Sequence, residues 1–146
     1  NEVVEDVINM IKKEAAKKNI SIEVEKKFNG LLVGDKDKFY QVVLNLTTNS
    51  IKYSNENGNV KIFTNKSKDK FVLMVKDDGI GIPKEDLPRI FERFYIVDKS
   101  RTSKSTGLGL AIVKHIVKLF NGEIFVESEV GKGSKFTVIS KNVYCE

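Results

Sequence analysis

Residues 35–53 read DKDKFYQVVLNLTTNSIKY, and this stretch decides how the rest of the chain is arranged. Asp35 suits an N-cap, and the apolar spacing predicts one long helix ending at about Tyr53. At about 100° per residue, Phe39, Val42, Val43, Leu46 and Tyr53 form one apolar face, with Leu44 and Ile51 on the opposite flank. Between them runs a polar stripe of Gln41, Asn45, Thr48, Asn49 and Lys52. Asn45, Asn49 and Lys52 follow i, i+4, i+7 and stack on one line. Apolar residues on both sides of the stripe predict packing on both sides, so that the stripe lines a cleft. Buried amides and a buried ammonium are costly unless something pairs with them. Carboxamide oxygens suit a magnesium shell that keeps several waters, and Lys52 suits a phosphate. A solvent-facing stripe in an Asn- and Lys-rich chain is the competing reading.

Outward from this helix the periodicity alternates. Val3, Val4, Val7, Ile8, Ile11 and Ala15 predict an amphipathic helix over 2–18. ISIEVEK at 20–26 switches to period two and predicts a strand, and Leu31–Val33, between Gly30 and Gly34, a small edge strand. Strands are predicted near 59–65 and 70–77, then a short helical piece containing IFERF. Residues 108–120 predict an almost wholly buried helix stopped by Asn121-Gly122, followed by strands at 123–128 and 134–141 joined by EVGKG. The order implies an α/β (α+β) two-layer sandwich, in which helices pack on one face of a mixed, mostly antiparallel sheet. One domain over 1–146 is expected, since a chain this long buries roughly two thirds of its extended surface.

Composition narrows the function. The formal charge is +5, but 25 Lys+Arg and 20 Asp+Glu are interleaved. No basic block with exposed aromatics appears, which argues against nucleic acid. Cys145 is the only cysteine, so no internal disulfide forms. No apolar run approaches the roughly 20 residues of a membrane span, and no leader precedes the first helix. The abrupt start inside NEVVEDVINMIKK suggests a segment of something longer, so no membrane contact is expected from this piece.

Two glycine segments carry further chemistry. VLMVKDDGIGIP places Asp77, Gly79 and Gly81 at alternate positions after a strand. Glycine lets backbone approach closely, and a carboxylate there can accept from the exocyclic amine of adenine. A plain turn is the rival; a calcium loop lacks the required spacing of oxygens. STGLGLAIVKHI sets Gly107 and Gly109 at the start of a helix, where free N–H groups make an anion site. It is neither a P-loop nor a dinucleotide-binding start. KSRTSKSTG at 99–107 adds three positive charges and no acid, reading either as a basic flap over a polyphosphate or as a solvated loop.

Taken together, these segments resemble the catalytic and ATP-binding domain of sensor histidine kinases, within the wider group that includes gyrase and the heat-shock chaperone ATPases. NLTTNSIKY is similar to the family's asparagine box, DDGIGIP to its first glycine box, FERFY to its phenylalanine box and TGLGLAIVK to its second glycine box. FNGEIFVESEVGKGSKFTV is similar to its closing segment. The resemblance implies the Bergerat-type ATP-binding fold, with ATP and Mg2+ bound. It implies that Asn49 ligates magnesium with Asn45 beside it, that Lys52 contacts phosphate and that Tyr53 lies against the nucleotide. Asp77 would read the adenine amine, with Gly79 and Gly81 shaping that wall. Residues 95–106 would form the lid, with Arg101 or Lys104 on phosphate, and Gly107, Leu108 and Gly109 would hold phosphates through backbone amides. Asn45 and Lys52 are the catalytic candidates.

The implied activity is transfer of the ATP γ-phosphoryl group to a histidine on a separate dimerisation hairpin, then to a response regulator. The setting would be the cytoplasmic part of a membrane-anchored kinase. The family often has glycine where Ser105 stands. Asn45 occupies the place of the water-activating glutamate of the related hydrolases, and an amide is a poor general base. His115, the only histidine, falls on the polar side of its helix and is expected to be a surface residue, with the phosphoacceptor outside this sequence. An anti-sigma-type serine kinase and a non-catalytic nucleotide-sensing module are the alternatives.

Overall fold

A computed structural model of the chain describes residues 2–27, 30–32, 36–67, 70–92, 109–140 and 143–145. Helix α1 (Glu2–Lys17) leads into strand β1 (Ser21–Lys26) and the short β2 (Gly30–Leu32). Helix α2 (Lys36–Tyr53) is followed by β3 (Asn59–Ser67) and β4 (Lys70–Asp77). After a 3-10 turn at Leu87–Arg89 come α3 (Gly109–Leu119), β5 (Gly122–Glu129), β6 (Gly133–Ser140) and β7 (Val143–Cys145).

Five strands form one sheet in the order β1-β3-β4-β6-β5. The β1–β3 pair is parallel and the other three are antiparallel. This is the mixed, mostly antiparallel sheet expected. In β4 the inward positions are Phe71, Leu73 and Val75, all buried, and the same alternation continues to Asp77. Period two therefore aims a carboxylate at the helix layer from a position that apolar residues fill one and two steps earlier.

The helices cover one face. Val4, Val7 and Ile11 of α1, Val42, Val43 and Leu46 of α2, and Val113, Ile116 and Val117 of α3 meet Val60, Ile62, Leu73, Val75 and Phe136 from the strands. Phe39 stands edge-on to Phe71 at 5.6 Å and to Phe120 at 6.5 Å, tying α2 to the sheet and to the end of α3. Helix α2 packs between α1 and α3, so both of its flanks are covered, as the doubled apolar pattern requires.

Three local expectations change. Helix α3 is not wholly buried: Ile112 and Leu119 are 40% and 53% exposed. They lie on the side away from the sheet, and a helix in an outer layer buries only one face. The short helical piece forms at Leu87–Arg89, just ahead of Ile90 and Phe91, and those two residues plug the core instead. Phe91 meets Phe136 edge-on at 6.4 Å, and the Lys114 ammonium lies 5.5 Å from its ring centre. Finally, β7 pairs antiparallel with β2 in a separate two-stranded sheet, which the local pattern did not foretell. The Asp35 cap lies outside the described residues.

Candidate functional site

Asp77 is 4% exposed, at the end of a central strand. Its Oδ1 accepts the Gly79 amide at 2.9 Å. Burial pushes the carboxyl above its ordinary range, an effect offset in part by the amide of Gly79, the Ser50 hydroxyl and the amide of Ser134. The Ser50 hydroxyl is fully buried beside this carboxylate, yet it closes no hydrogen bond of full geometry with any described atom. A buried acceptor thus stands at the strand end with a buried hydroxyl beside it, an arrangement that fits a ligand bringing a donor.

The loop after Asp77 is clamped from two sides. Ile80 donates to the Tyr53 carbonyl at 3.1 Å, at the end of α2. On the other side, Gly131 of the β5–β6 turn donates to the Ile80 carbonyl at 2.9 Å. The Ile82 amide donates to Ser128 Oγ at 2.7 Å, and Ser128 in turn reaches the Gly133 carbonyl and Ser134. The glycines explain how backbone comes so close. A Cβ on Gly79 would lie 2.3 Å from the Tyr53 carbonyl oxygen, and one on Gly81 would lie 2.2 Å from that of Glu129. Gly81 also has φ of +77°. Both glycines therefore seat the loop against neighbouring backbone. Gly133, which the motif reading did not single out, does the same against the Asp77 carbonyl at 2.1 Å.

The polar stripe of α2 runs toward the start of α3. Asn45 and Asn49 are half-buried on α2, as are Lys52 and Tyr53. Asn45 Nδ2 donates to the Gly109 carbonyl at 3.5 Å, placing the polar stripe beside the first residue of α3. Among the described residues, the Asn49 carboxamide and the Lys52 ammonium have no hydrogen-bond partner; the ammonium lies 5.8 Å from the centre of the Tyr53 ring. Partial burial shifts the Lys52 ammonium below its ordinary pKa. A Cβ on Gly109 would meet no described atom within 4 Å.

The structure thus brings Asn45, Asn49, Lys52, Tyr53, Asp77, Gly79 and Gly109 around one helix. Arg101, Lys104, Ser105, Gly107, Leu108 and the proposed lid at 95–106 lie outside the described residues. His115 is exposed on α3. Among the described residues no group of three or more His, Cys, Asp and Glu side chains could hold a metal ion, and no helix is long and apolar enough to cross a membrane. Sequence reasoning missed Ser50, Ser128 and Lys18. Ser50 was legible only as a small residue beside Asn49; the other two act through tertiary contacts.

The family model for the Histidine kinase-, DNA gyrase B-, and HSP90-like ATPase matches residues 34–142, and the chain belongs to this family. Within it the likeness is to sensor histidine kinases, whose catalytic, ATP-binding domain this chain represents. Sensor histidine kinase WalK of Bacillus subtilis (strain 168) is 48% identical over 107 residues, covering 70% of this chain and 18% of that protein. Sensor histidine kinase YclK of the same organism is 36% identical over 140 residues, covering 94% of this chain and 29% of that protein. The solved catalytic domain of histidine kinase ThkA superposes with a TM-score of 0.84 at 28% identity, covering 97% of this chain and 91% of that one. Another structure holds ThkA in complex with the response regulator TrrA; there the TM-score is 0.79 at 27% identity over 97% of this chain and 40% of that one. The chain spans 18% and 29% of the two curated relatives' length.

Proposed function

We propose that this chain binds ATP with magnesium and delivers the γ-phosphoryl group to a histidine on a dimerisation hairpin of a longer, membrane-anchored parent protein. A response regulator would then take the group onto an aspartate. The observation that carries the reading is the buried Asp77 carboxylate beside Ser50 of α2, the helix that also carries the half-buried Asn49 and Lys52. Asp77 would accept from the adenine amine, with Ser50 and Gly79 holding that corner. Tyr53 would lie against the nucleotide and Lys52 would neutralise phosphate.

The donor set fits a hard cation. Asn49, with Asn45 beside it, offers amide oxygens with half-open access, and a magnesium ion held there would neutralise triphosphate charge. In the transfer itself, a neutral imidazole nitrogen forms the new P–N bond as the bond to the β-phosphate oxygen breaks and ADP leaves. The chain's part is to position and neutralise. An amide at Asn45 takes no proton from water near neutral pH, which keeps the γ-phosphoryl group for the imidazole. Lid cations Arg101 or Lys104, and the amides of Gly107, Leu108 and Gly109, would complete the phosphate site.

Calorimetry with ATP and GTP, with and without magnesium, tests the reading. Preferential, magnesium-dependent ATP binding is expected. Equal affinity for the two nucleotides would remove adenine recognition, and no binding of either would remove the function.

A further inference from the structure

The last turn of a helix leaves four carbonyls without an intrahelical partner. In α2 these belong to Ser50, Ile51, Lys52 and Tyr53, the turn that carries Lys52 and Tyr53. Ser54 Oγ donates to the Ser50 carbonyl at 2.6 Å, and the Ser54 amide donates to that of Ile51 at 3.2 Å. The Tyr53 carbonyl receives the Ile80 amide. The remaining demand is met from the corner between α1 and β1. Lys18, just past the end of α1, sends its ammonium to the carbonyls of Lys52 at 2.7 Å, Ile51 at 3.1 Å and Ser54 at 3.3 Å. An ammonium has three donors and no acceptor, and a cation at a helix C-terminus also opposes the helix dipole.

The attachment is not incidental to Lys18's location. The Lys18 carbonyl accepts the Asn57 amide at 2.9 Å, Asn19 Nδ2 donates to Asn57 Oδ1 at 2.7 Å, and the Ser21 amide donates to the Gly58 carbonyl at 3.0 Å. The corner between α1 and β1 is therefore stitched to the corner between α2 and β3. Asn19 and Asn57 both take left-handed backbone there, with φ of 53° and 63°, a conformation asparagine tolerates better than most residues.

We propose that Lys18 is a positioning residue for nucleotide binding: it fixes the final turn of α2, and through the Tyr53 carbonyl it fixes the Gly79–Ile80 backbone beside Asp77. The chain of contacts is short. Lys18 holds the carbonyls on either side of Tyr53; the Tyr53 carbonyl holds Ile80; and Gly79 packs against that same oxygen while donating to Asp77. Nothing in Lys18 touches the reacting atoms. Its loss lets the last turn fray, which moves Lys52, Tyr53 and the Asp77 corner together and weakens binding before it slows transfer. This inference rests on the nucleotide reading of the Asp77–Lys52 face.

The test compares the wild-type chain with Lys18→Met, Lys18→Arg and Ala15→Gly, the last a control on the buried face of α1. Two readouts are taken: amide hydrogen exchange at Gly79 and Ile80 without nucleotide, and the KM and kcat for ATP with the parent hairpin supplied. Lys18→Met should speed exchange at both amides and raise KM about tenfold, the equivalent of one charged hydrogen bond, with kcat within about twofold. Lys18→Arg should recover most of both. Ala15→Gly should lower stability and leave KM unchanged. Lys18→Gln, which keeps a donor, takes the place of Lys18→Met if that variant does not fold. Unchanged exchange at Gly79 and Ile80 in Lys18→Met overturns the proposal, as does an equal rise of KM in Ala15→Gly. Wild-type protein that binds no ATP would defeat the nucleotide reading alone, since the exchange arm still decides whether Lys18 sets this backbone.

Discussion

At the Asp77 end of the cleft, the loop from Gly79 to Ile82 is bonded to α2 on one side and to the β5–β6 turn on the other, with glycines pressed to within 2.3 Å, measured from an added Cβ, of backbone oxygens. At the Gly109 end, among the described residues, a 3.5 Å bond from Asn45 reaches the first residue of α3, and a Cβ on Gly109 would meet no described atom within 4 Å. The nucleotide proposed for this face has two unlike halves. A base is rigid and read by fixed donors and acceptors, so its corner gains from preorganisation. A triphosphate is flexible and is held by charge and mobile groups. Gly79 and Gly81 seat backbone against backbone at the first end, and on the proposed reading Gly109 gives access at the second.

Alanine substitutions break this comparison most sharply. Gly79→Ala should cost about 2–4 kcal/mol of stability, because the new methyl meets backbone that cannot rotate away; urea unfolding measures it. Gly109→Ala should stay within about 0.5 kcal/mol in the same assay and show its effect as weaker ATP binding. If the two variants lost equal stability, the distinction between packing and access would fail.

Next in size is Asp77→Asn. An amide gives up charge assistance and must orient its oxygen, so ATP binding should weaken by about 1–3 kcal/mol and preference over GTP should narrow. Unaltered selectivity in calorimetry would show that Asp77 does not read the base. Asn49→Ala acts at the other end and should reduce the magnesium dependence of binding while leaving base preference intact. A magnesium titration with an unchanged response would take Asn49 out of the metal shell.

The smallest effect is a pH dependence. Burial raises the Asp77 carboxyl above its ordinary 3.8, so the folded state holds this proton more tightly than the unfolded state. Its stabilising contribution is complete below the ordinary value and is lost as pH rises through the raised one. Asp77→Asn lacks that dependence. Melting curves without nucleotide should show the wild-type chain losing ground to the variant from about pH 4 upward; parallel curves would mean the carboxyl is not desolvated in the free protein.

Much of this was readable beforehand because local pattern and tertiary role coincide. The double apolar flank of α2 already implied packing on two sides, and Val42, Val43, Leu46 and Ile51 are buried as that requires. Asp77 stood at an inward position of a period-two strand, so its burial followed from its register. Other features depend on partners distant in sequence. Lys18 looks like any basic residue at a helix end, and its carbonyl partners lie 33 to 36 residues away. Ser128 is one polar residue in an alternating strand until the hairpin turn brings it to Ile82. Helix α3 was expected to be almost wholly buried because its many apolar residues do not tell which of them face the sheet, and Ile112 and Leu119 are exposed.

The most direct test of the account is phosphate incorporation from γ-labelled ATP in three samples: the chain alone, the chain with its parent hairpin, and the chain carrying His115→Ala with that hairpin. Transfer needs the imidazole nitrogen about 3–3.5 Å from the phosphorus, and His115 is an exposed residue within helix α3. The account predicts no appreciable label on the chain alone and equal, acid-labile, base-stable label on the hairpin in the other two samples. Strong labelling of the chain alone that disappears with His115→Ala would contradict it.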